Sequence, residues 1–322
     1  MTWFGFLNCY KPAGMTSRDV VNLVQRRLRK TKVGHAGTLD PIAEGILVLG
    51  LGAAARLVTH VQSYPKRYTG EFRLGEHSPS EDTETEITRP IGLPVPDLET
   101  LEQAAATMVG RIEQTPSAYS AIHVNGKRAY ERARQGEVFE MPSREVQIDS
   151  IVVDHYQYPN LRLTVQCGSG TYIRSIGSDL AKKAGSCAVM TGLTRTSVGP
   201  FDEKQSIDIE TIKHQELTSH LLPATMAIEY LPKLVVTSSD VKKIYFGQSL
   251  EGTPDMVPSL SAIEHHTGAT SQQHSAPQTN PSSDIAAVTK DGVLLALLRP
   301  KRGLWHPYRV FPPAKEVAEQ TE

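Results

Sequence analysis

The 322 residues include only three cysteines, Cys9, Cys167 and Cys187, widely spaced and with no Cys-x-x-Cys or His-x-x-x-His pattern beside them. An odd, scattered set of this kind excludes a disulfide framework and assembles no zinc site, so no metal is expected. Long apolar runs are missing as well: nowhere do 18 hydrophobic residues follow one another, which leaves no membrane span. The opening MTWFGFLNCYKPAG lacks the basic flank and apolar centre of a secretory signal, and a cytoplasmic protein is expected. No Gly-x-Gly-x-x-Gly, P-loop lysine or Gly-x-Ser-x-Gly motif occurs, and nothing repeats with a solenoid or propeller period. Redox chemistry, ATP chemistry and serine-type acyl transfer are thereby disfavoured, and no cofactor is expected.

What is present suits a globular protein. With 39% hydrophobic and 21% charged residues, the chain can bury one large domain plus something smaller. The formal net charge of -1 argues against a nucleic-acid partner only if charge is spread evenly, and it is not. Lys11, Arg18, Arg26, Arg27, Arg29, Lys30 and Lys32 crowd one stretch, opposed there only by Asp19. TSRDVVNLVQRRLRK, residues 16–30, reads as an amphipathic helix: Thr16 or Ser17 caps it, Val20, Val24 and Leu28 share a face, and the basic residues complement the dipole in the last turns. Taken alone, such a helix is a solvated basic face.

Further along, EGILVLGLGAAARL suggests a buried strand ending in a short helix, and KRYTGEFRLG alternates like a strand. SEDTETE, residues 80–86, reads as a solvated acidic loop. A helix is expected from about Asp97 to Val109, and LRLTVQCGSGTYIRSIGSDLAKKAG reads as strand, glycine turn and helix. Strands and helices interleave without the strict repeat of a doubly wound fold, which predicts a mixed sheet in an α+β domain. Residues 252–283 turn rich in Ser, Thr, Gln and Pro and predict disorder; His265, His266 and His274 within them receive no function. Beyond lies a hairpin, IAAVTKDGVLLALLRP with Asp291 and Gly292 at its turn, and GLWHPYRVFPP adds a last strand.

Polar residues in unusual settings remain as carriers of chemistry. VGHAGTLDP places Asp40 in a glycine-rich loop just downstream of the basic cluster, Tyr68 opens an alternating strand, and Arg174 follows a glycine turn. Each also has an ordinary account, as turn residue, half-buried strand residue and surface cation.

Taken together, VGHAGTLDP, KRY, QTPSAYSAIHVNGKRAYERARQGE, GTYIRSIGSDL and MTGLTRTSVGPF resemble, in order and spacing, the TruB family of tRNA pseudouridine synthases, and NCYKPAGMTSRDVV is similar to that family's opening Lys-Pro motif. The resemblance runs from about residue 5 to residue 230. It implies a pseudouridine synthase fold, with a central mixed, mainly antiparallel sheet flanked by helices and a small PUA-like β domain at the C-terminus. Residues 1–230 would be catalytic, with an RNA-binding insertion at about 120–146 that closes as a lid; residues 231–322 would be PUA-like, interrupted by 252–283. The implied reaction converts uridine 55 in the tRNA T-stem loop to pseudouridine.

By the same resemblance, the catalytic aspartate falls on Asp40, the active-site tyrosine on Tyr68 and the active-site arginine on Arg174. His35 would fill the place of the flipped base. Arg174 is expected to pair with Asp40 and keep it ionised, and Tyr68 to stack on uracil and help remove the C5 proton. Whether the aspartate attacks the base or the ribose, or passes through a glycal, stays open. RNA contacts are expected from Lys11, Pro12, Arg26, Arg27, Arg29, Lys30, Lys32, Tyr172, Leu193 and Arg195, with Lys11, Lys32, Arg195 and the basic helix on phosphates and Leu193 either walling the uracil or serving as core. The partner is tRNA, with no obligate protein partner, and a monomer is expected. Two other roles stay open: an RNA chaperone assisting tRNA folding, and the catalytic subunit of a guide-RNA particle, against which the short ending EVAEQTE counts.

Overall fold

The computed structural model describes residues 3–28, 30–209, 217–255 and 284–311. In chain order the first half contains β1 (Phe4–Lys11), α1 (Ser17–Arg27), β2 (Val33–His35), β3 (Glu44–Gly52), α2 (Val58–Ser63), β4 (Lys66–Leu74), α3 (Leu98–Ala106), β5 (Gly110–Gln114), β6 (His123–Val124), β7 (Lys127–Arg128) and α4 (Ala129–Arg134). There follow β8 (Arg144–Gln157), β9 (Asn160–Cys167), α5 (Ile173–Lys183), β10 (Ala188–Val198), β11 (Phe201–Asp202), β12 (Ile207–Asp208), β13 (Lys233–Val235), α6 (Ser238–Tyr245), β14 (Ile285–Val288), β15 (Leu294–Lys301) and β16 (Leu304–Val310). Arg29 lies outside the described residues, as do His265, His266, His274 and the expected disordered tract from 256 onward.

Parity along β1 and β3 explains their unbroken apolar sequences. Successive side chains of a strand point to opposite faces, and here both faces are covered. Leu7, Cys9, Leu47, Leu49 and Leu51 pack under α1 with Val20, Val21, Val24 and Leu28. Phe6, Ile46 and Val48 face the other way, onto Leu57, Val61 and Tyr64. Helix α1 starts where a capping box predicts, with Thr16 and Asp19 each bonding the other's backbone N–H. It stops short of the expected Lys30, because that residue adopts a left-handed φ of 61°.

The large sheet has the order β12-β1-β3-β10-β4-β9-β8-β5, with β2 added on β3 and β11 on β10. Most pairs are antiparallel, as expected of a mixed α+β fold, but β3 and β10 run parallel through Thr194↔Glu44 and Arg195↔Gly45. This parallel seam joins the two halves of the sheet. Gly45 has φ 102°, and a Cβ there would collide with the Arg195 backbone, so the seam closes only around glycine.

A second sheet, β13-β14-β15-β16, forms from the C-terminal segment. It is not separate in its packing. Ala286, Val288, Leu294, Leu297 and Phe311 share one apolar cluster with Phe6, Ile46 and Tyr64 of the large sheet's side. Phe4 and Phe311 stack with ring centres 5.3 Å apart, and the Arg56 guanidinium donates to the Val310 carbonyl at 2.7 Å.

Helix α5 lies against the other half of the sheet, where Ile173, Ile176, Leu180 and Ala181 meet Phe72, Leu74 and Leu163. Closest approach occurs at Gly177, whose missing Cβ is replaced by the edge of the Phe72 ring. Phe72 is 1% exposed and has nowhere to move. Gly177→Ala is therefore expected to destabilise the fold by about 1–3 kcal/mol through overpacking, despite alanine's better helix propensity. A urea unfolding midpoint that does not fall would contradict this packing.

Candidate active site

The loop carrying Asp40 is shaped from α1. Ser17 Oγ accepts the Leu39 N–H at 2.9 Å and donates to the Leu39 carbonyl at 3.2 Å, so one buried hydroxyl satisfies both backbone groups of the preceding residue. Pro41 is held through its carbonyl by Gly14 N–H at 2.7 Å, and the Asp40 carbonyl accepts from Ala43 at 3.0 Å. The backbone is fixed on both sides of Asp40 while its side chain stays 41% exposed.

Arg174, the second residue of α5, supplies the cation. Its Nε stands 3.4 Å from Asp40 Oδ2, and its Nη1 stands 2.8 Å from Asp82 Oδ2. The Arg174 and Asp82 side chains are 5% and 3% exposed. Further bonds run from Nη1 to the Ser80 carbonyl at 3.2 Å and from Nη2 to the Tyr119 carbonyl at 3.4 Å. Burial alone would lower the Arg174 pKa, but the charges of Asp40 and Asp82 outweigh it and hold the guanidinium above its ordinary value. Its charge is permanent.

Asp82 belongs to the acidic stretch expected to be a solvated loop, which holds for the exposed Thr83, Glu84 and Glu86 but fails for Ser80 and Asp82. Ser78, Ser80 and Asp82 are buried, and Met190 N–H on β10 bonds the Glu81 carbonyl at 2.9 Å. Glu81 takes a left-handed φ of 63°, a strained conformation for a side-chain-bearing residue. That kink lets neighbouring carboxylates reach the same helix: Asp82 binds Arg174, and Glu81 accepts from Ser175 Oγ at 2.6 Å. Burial raises the Glu81 pKa, with Ser175 opposing.

Tyr68 and Arg195 are direct cross-strand partners on β4 and β10. Tyr68 is half-buried; burial pushes its phenol up, and the Arg195 charge opposes that. Arg195 differs from expectation. Only 2% exposed, it donates from Nε to the Ile46 carbonyl at 2.7 Å and from Nη2 to the Gly37 carbonyl at 3.2 Å, a placement that offers no guanidinium to a phosphate. Lys11 likewise is fully buried, its Nζ bonding the carbonyls of Pro12 and Met15 at 2.9 and 2.7 Å. Burial lowers the Lys11 pKa to about 8 against the pull of Asp40 and Glu44. Both cations brace the site from beneath, and the wet basic surface includes Arg18, Arg26, Lys30 and Lys32, with Arg27 half-buried.

Other expected residues fall around the same seam. Leu193 is 9% exposed and packs with Leu39 and Ala43. Tyr172 precedes α5, with its backbone N–H and carbonyl both bonded by Gln114, at 2.8 and 3.0 Å, and Arg144 lying over its ring. His35 is half-buried on β2; its Nδ1 has no hydrogen-bond partner among the described residues. Burial, then the nearby Arg18, lowers its pKa, so the ring is neutral at pH 7.

A protein of Rhodopirellula baltica called tRNA pseudouridine synthase B is 41% identical over 335 residues, spanning 97% of this chain and 96% of its own. The chain belongs to the TruB family. The family model for the TruB family pseudouridylate synthase N-terminal domain matches residues 25–173. A second relative, tRNA pseudouridine synthase B of Synechocystis sp., is 40% identical over 271 residues, covering 82% of this chain and 91% of its own. Among solved structures, that of an H/ACA RNP bound to a substrate RNA containing 2′-deoxyuridine has the same fold, with TM-score 0.68, 23% identity and coverage of 96% of this chain and 86% of that one.

In this TruB family chain, Asp40 and Tyr68 lie inside the family match and Arg174 lies one residue past it. Asp82 and Ser17 were not foreseen from sequence. Helical spacing held a signal for Asp82: Arg174 shares a face with Gly177 and Ala181, so it had to be buried and needed a partner. Removing one member of a buried pair leaves an uncompensated charge. Asp82→Ala is accordingly expected to cost about 3–5 kcal/mol of stability, and Asp40→Ala, which removes a partly exposed carboxylate and leaves Arg174 its buried partner Asp82, clearly less. Equal losses in urea unfolding would contradict this division of roles.

Proposed function

We propose that the chain isomerises uridine 55 in the T-loop of tRNA to pseudouridine, with Asp40 as the catalytic carboxylate. The observation that carries this reading is the half-exposed Asp40 beside a buried, permanently charged Arg174. Such a carboxylate is open to a substrate and has a fixed positive charge beside it. The reaction breaks the N1–C1′ bond, turns the base and rejoins it through C5, with no net redox change. One carboxylate in a water-shielded pocket suffices, whereas glycoside hydrolysis ordinarily uses two carboxylates and a water.

The target base has to leave its stack, at a cost of roughly a few kcal/mol. His35, uncharged, with Gly34 before it and Gly37 two residues after, is suited to take its place; Leu193 and the Tyr68 ring form walls for the extruded uracil. Exposed Arg26, Lys30 and Lys32 at the end of α1 supply phosphate contacts, making binding salt-dependent. In this reading residues 1–230 are the catalytic domain, about 120–146 closes over the T-loop, and 231–322 form the PUA-like domain. The enzyme acts as a cytoplasmic monomer without an obligate protein partner. Among the described residues no helix is long and apolar enough to cross a membrane.

Incubation with an unmodified tRNA transcript, followed by carbodiimide-dependent primer extension, tests the proposal. Wild type is expected to give a stop at uridine 55, and Asp40→Asn to give none while binding tRNA within about threefold of wild type. Binding lost in parallel with turnover would remove Asp40 from the chemistry, and no stop from wild type would remove the reaction itself.

A further inference from the structure

We propose that Arg195 is a positioning residue that holds the Tyr68 phenol in the site and readies it to accept the C5 proton of the base. The inference rests on the isomerase reading above and assigns a task to a residue that the phosphate-binding expectation misplaced. Arg195 stands directly opposite Tyr68 in the β4–β10 register, so the two side chains emerge on one face of the sheet. Two of its donors are spent on the carbonyls of Ile46 and Gly37, which fixes the plane of the guanidinium. Gly37 belongs to the loop that presents Asp40, so one side chain ties that loop, β3 and Tyr68 together.

A buried cation without a counter-ion is costly, and among the described residues no carboxylate forms an ion pair with Arg195. Lys11 and Lys66, 0% and 7% exposed, lie near it, and the Arg195 charge helps burial to lower both to about 8. Lys66 is tied to Ser169 Oγ at 2.8 Å and to the Gln62 carbonyl. Of these three buried cations, Arg195 is the one that acts on Tyr68. Burial raises the Tyr68 pKa above its ordinary value, Arg195 opposes that rise, and Cys167 and Asp40 add to it, so a phenolate at Tyr68 depends on Arg195. Cys167 is itself held up at about 12 by burial and stays a neutral thiol.

The step is a tautomerisation. Once C5 has joined C1′, the Tyr68 phenolate takes the proton on C5, and the C5–H electron pair becomes the C5–C6 double bond. The C6–N1 π pair moves onto N1, which takes a proton from water. Tyr68 then returns its proton to solvent, so nothing is oxidised and the proton count is unchanged. A positive charge fixed beside the oxygen lowers the cost of the phenolate without moving during the reaction.

The test uses full-length protein carrying 13Cζ-tyrosine, with Tyr68→Phe to assign the resonance, and compares wild type, Arg195→Lys and Arg195→Gln. Loss of the charge in Arg195→Gln is expected to move the Tyr68 titration to higher pH, with Arg195→Lys in between. The rising limb of the single-turnover rate should move with it, losing about tenfold at fixed pH per unit. With tRNA deuterated at uridine C5, the isotope effect on product formation should grow in both variants, because C5 proton removal becomes slower relative to bond cleavage. Tyr68 titration and isotope effect unchanged in a folded Arg195→Lys or Arg195→Gln that has lost only stability would reduce Arg195 to a brace and overturn the proposal. If Arg195→Gln does not fold, Arg195→Lys decides alone. A wild type that makes no pseudouridine overturns instead the isomerase reading on which this one stands.

Discussion

One guanidinium shared between two carboxylates of unequal exposure governs the organisation of the site. Arg174 is almost wholly buried, and a charge in that position needs a partner that is equally buried. Asp82 fills this requirement at 2.8 Å, which leaves Asp40, at 3.4 Å and partly open to solvent, free of structural duty. The acidic kink at Glu81, the packing of α5 on Phe72 and the backbone clamp of Ser17 on Leu39 all fix this geometry. A site with only the Asp40–Arg174 pair would have to choose between burying its open carboxylate and stranding its arginine.

Much of this was legible in the chain. The capped start of α1, the parity of β1 and β3, the strand-turn-helix leading to Arg174 and the hairpin about Gly292 follow from local patterns that the tertiary structure reinforces. Asp82 was not legible by composition, because SEDTETE carries three other carboxylates and no local pattern separates a buried Asp82 from a wet Glu84. The difference arises from Met190 and Arg174, which are more than ninety residues distant in sequence. Lys11 and Arg195 were misplaced for the opposite reason. Lysine and arginine are so seldom buried that exposure is the default, and only their capture by backbone carbonyls removes it.

The chain's near-neutral total charge conceals two populations of cations. Arg26, Lys30 and Lys32, at and just beyond the end of α1, are wet and suited to phosphate; Lys11, Lys66, Arg174 and Arg195 are dry and held by carbonyls, hydroxyls or carboxylates. Salt screens the first group strongly and the second hardly at all. Binding of a polyanion and the chemistry inside the pocket thus answer to different electrostatics within one site.

The parallel seam between β3 and β10 also has a consequence for synthesis on the ribosome. Thr194 pairs with Glu44 and Arg195 with Gly45, so strands about 150 residues apart in sequence must meet before the pocket exists. Parallel strands so far apart in sequence close late and slowly. A nascent chain that has emitted the whole Asp40 loop still lacks the wall formed by β10 and the arginine of α5. The half-finished protein is therefore unable to assemble this pocket, and competence arrives only after residue 198 has emerged.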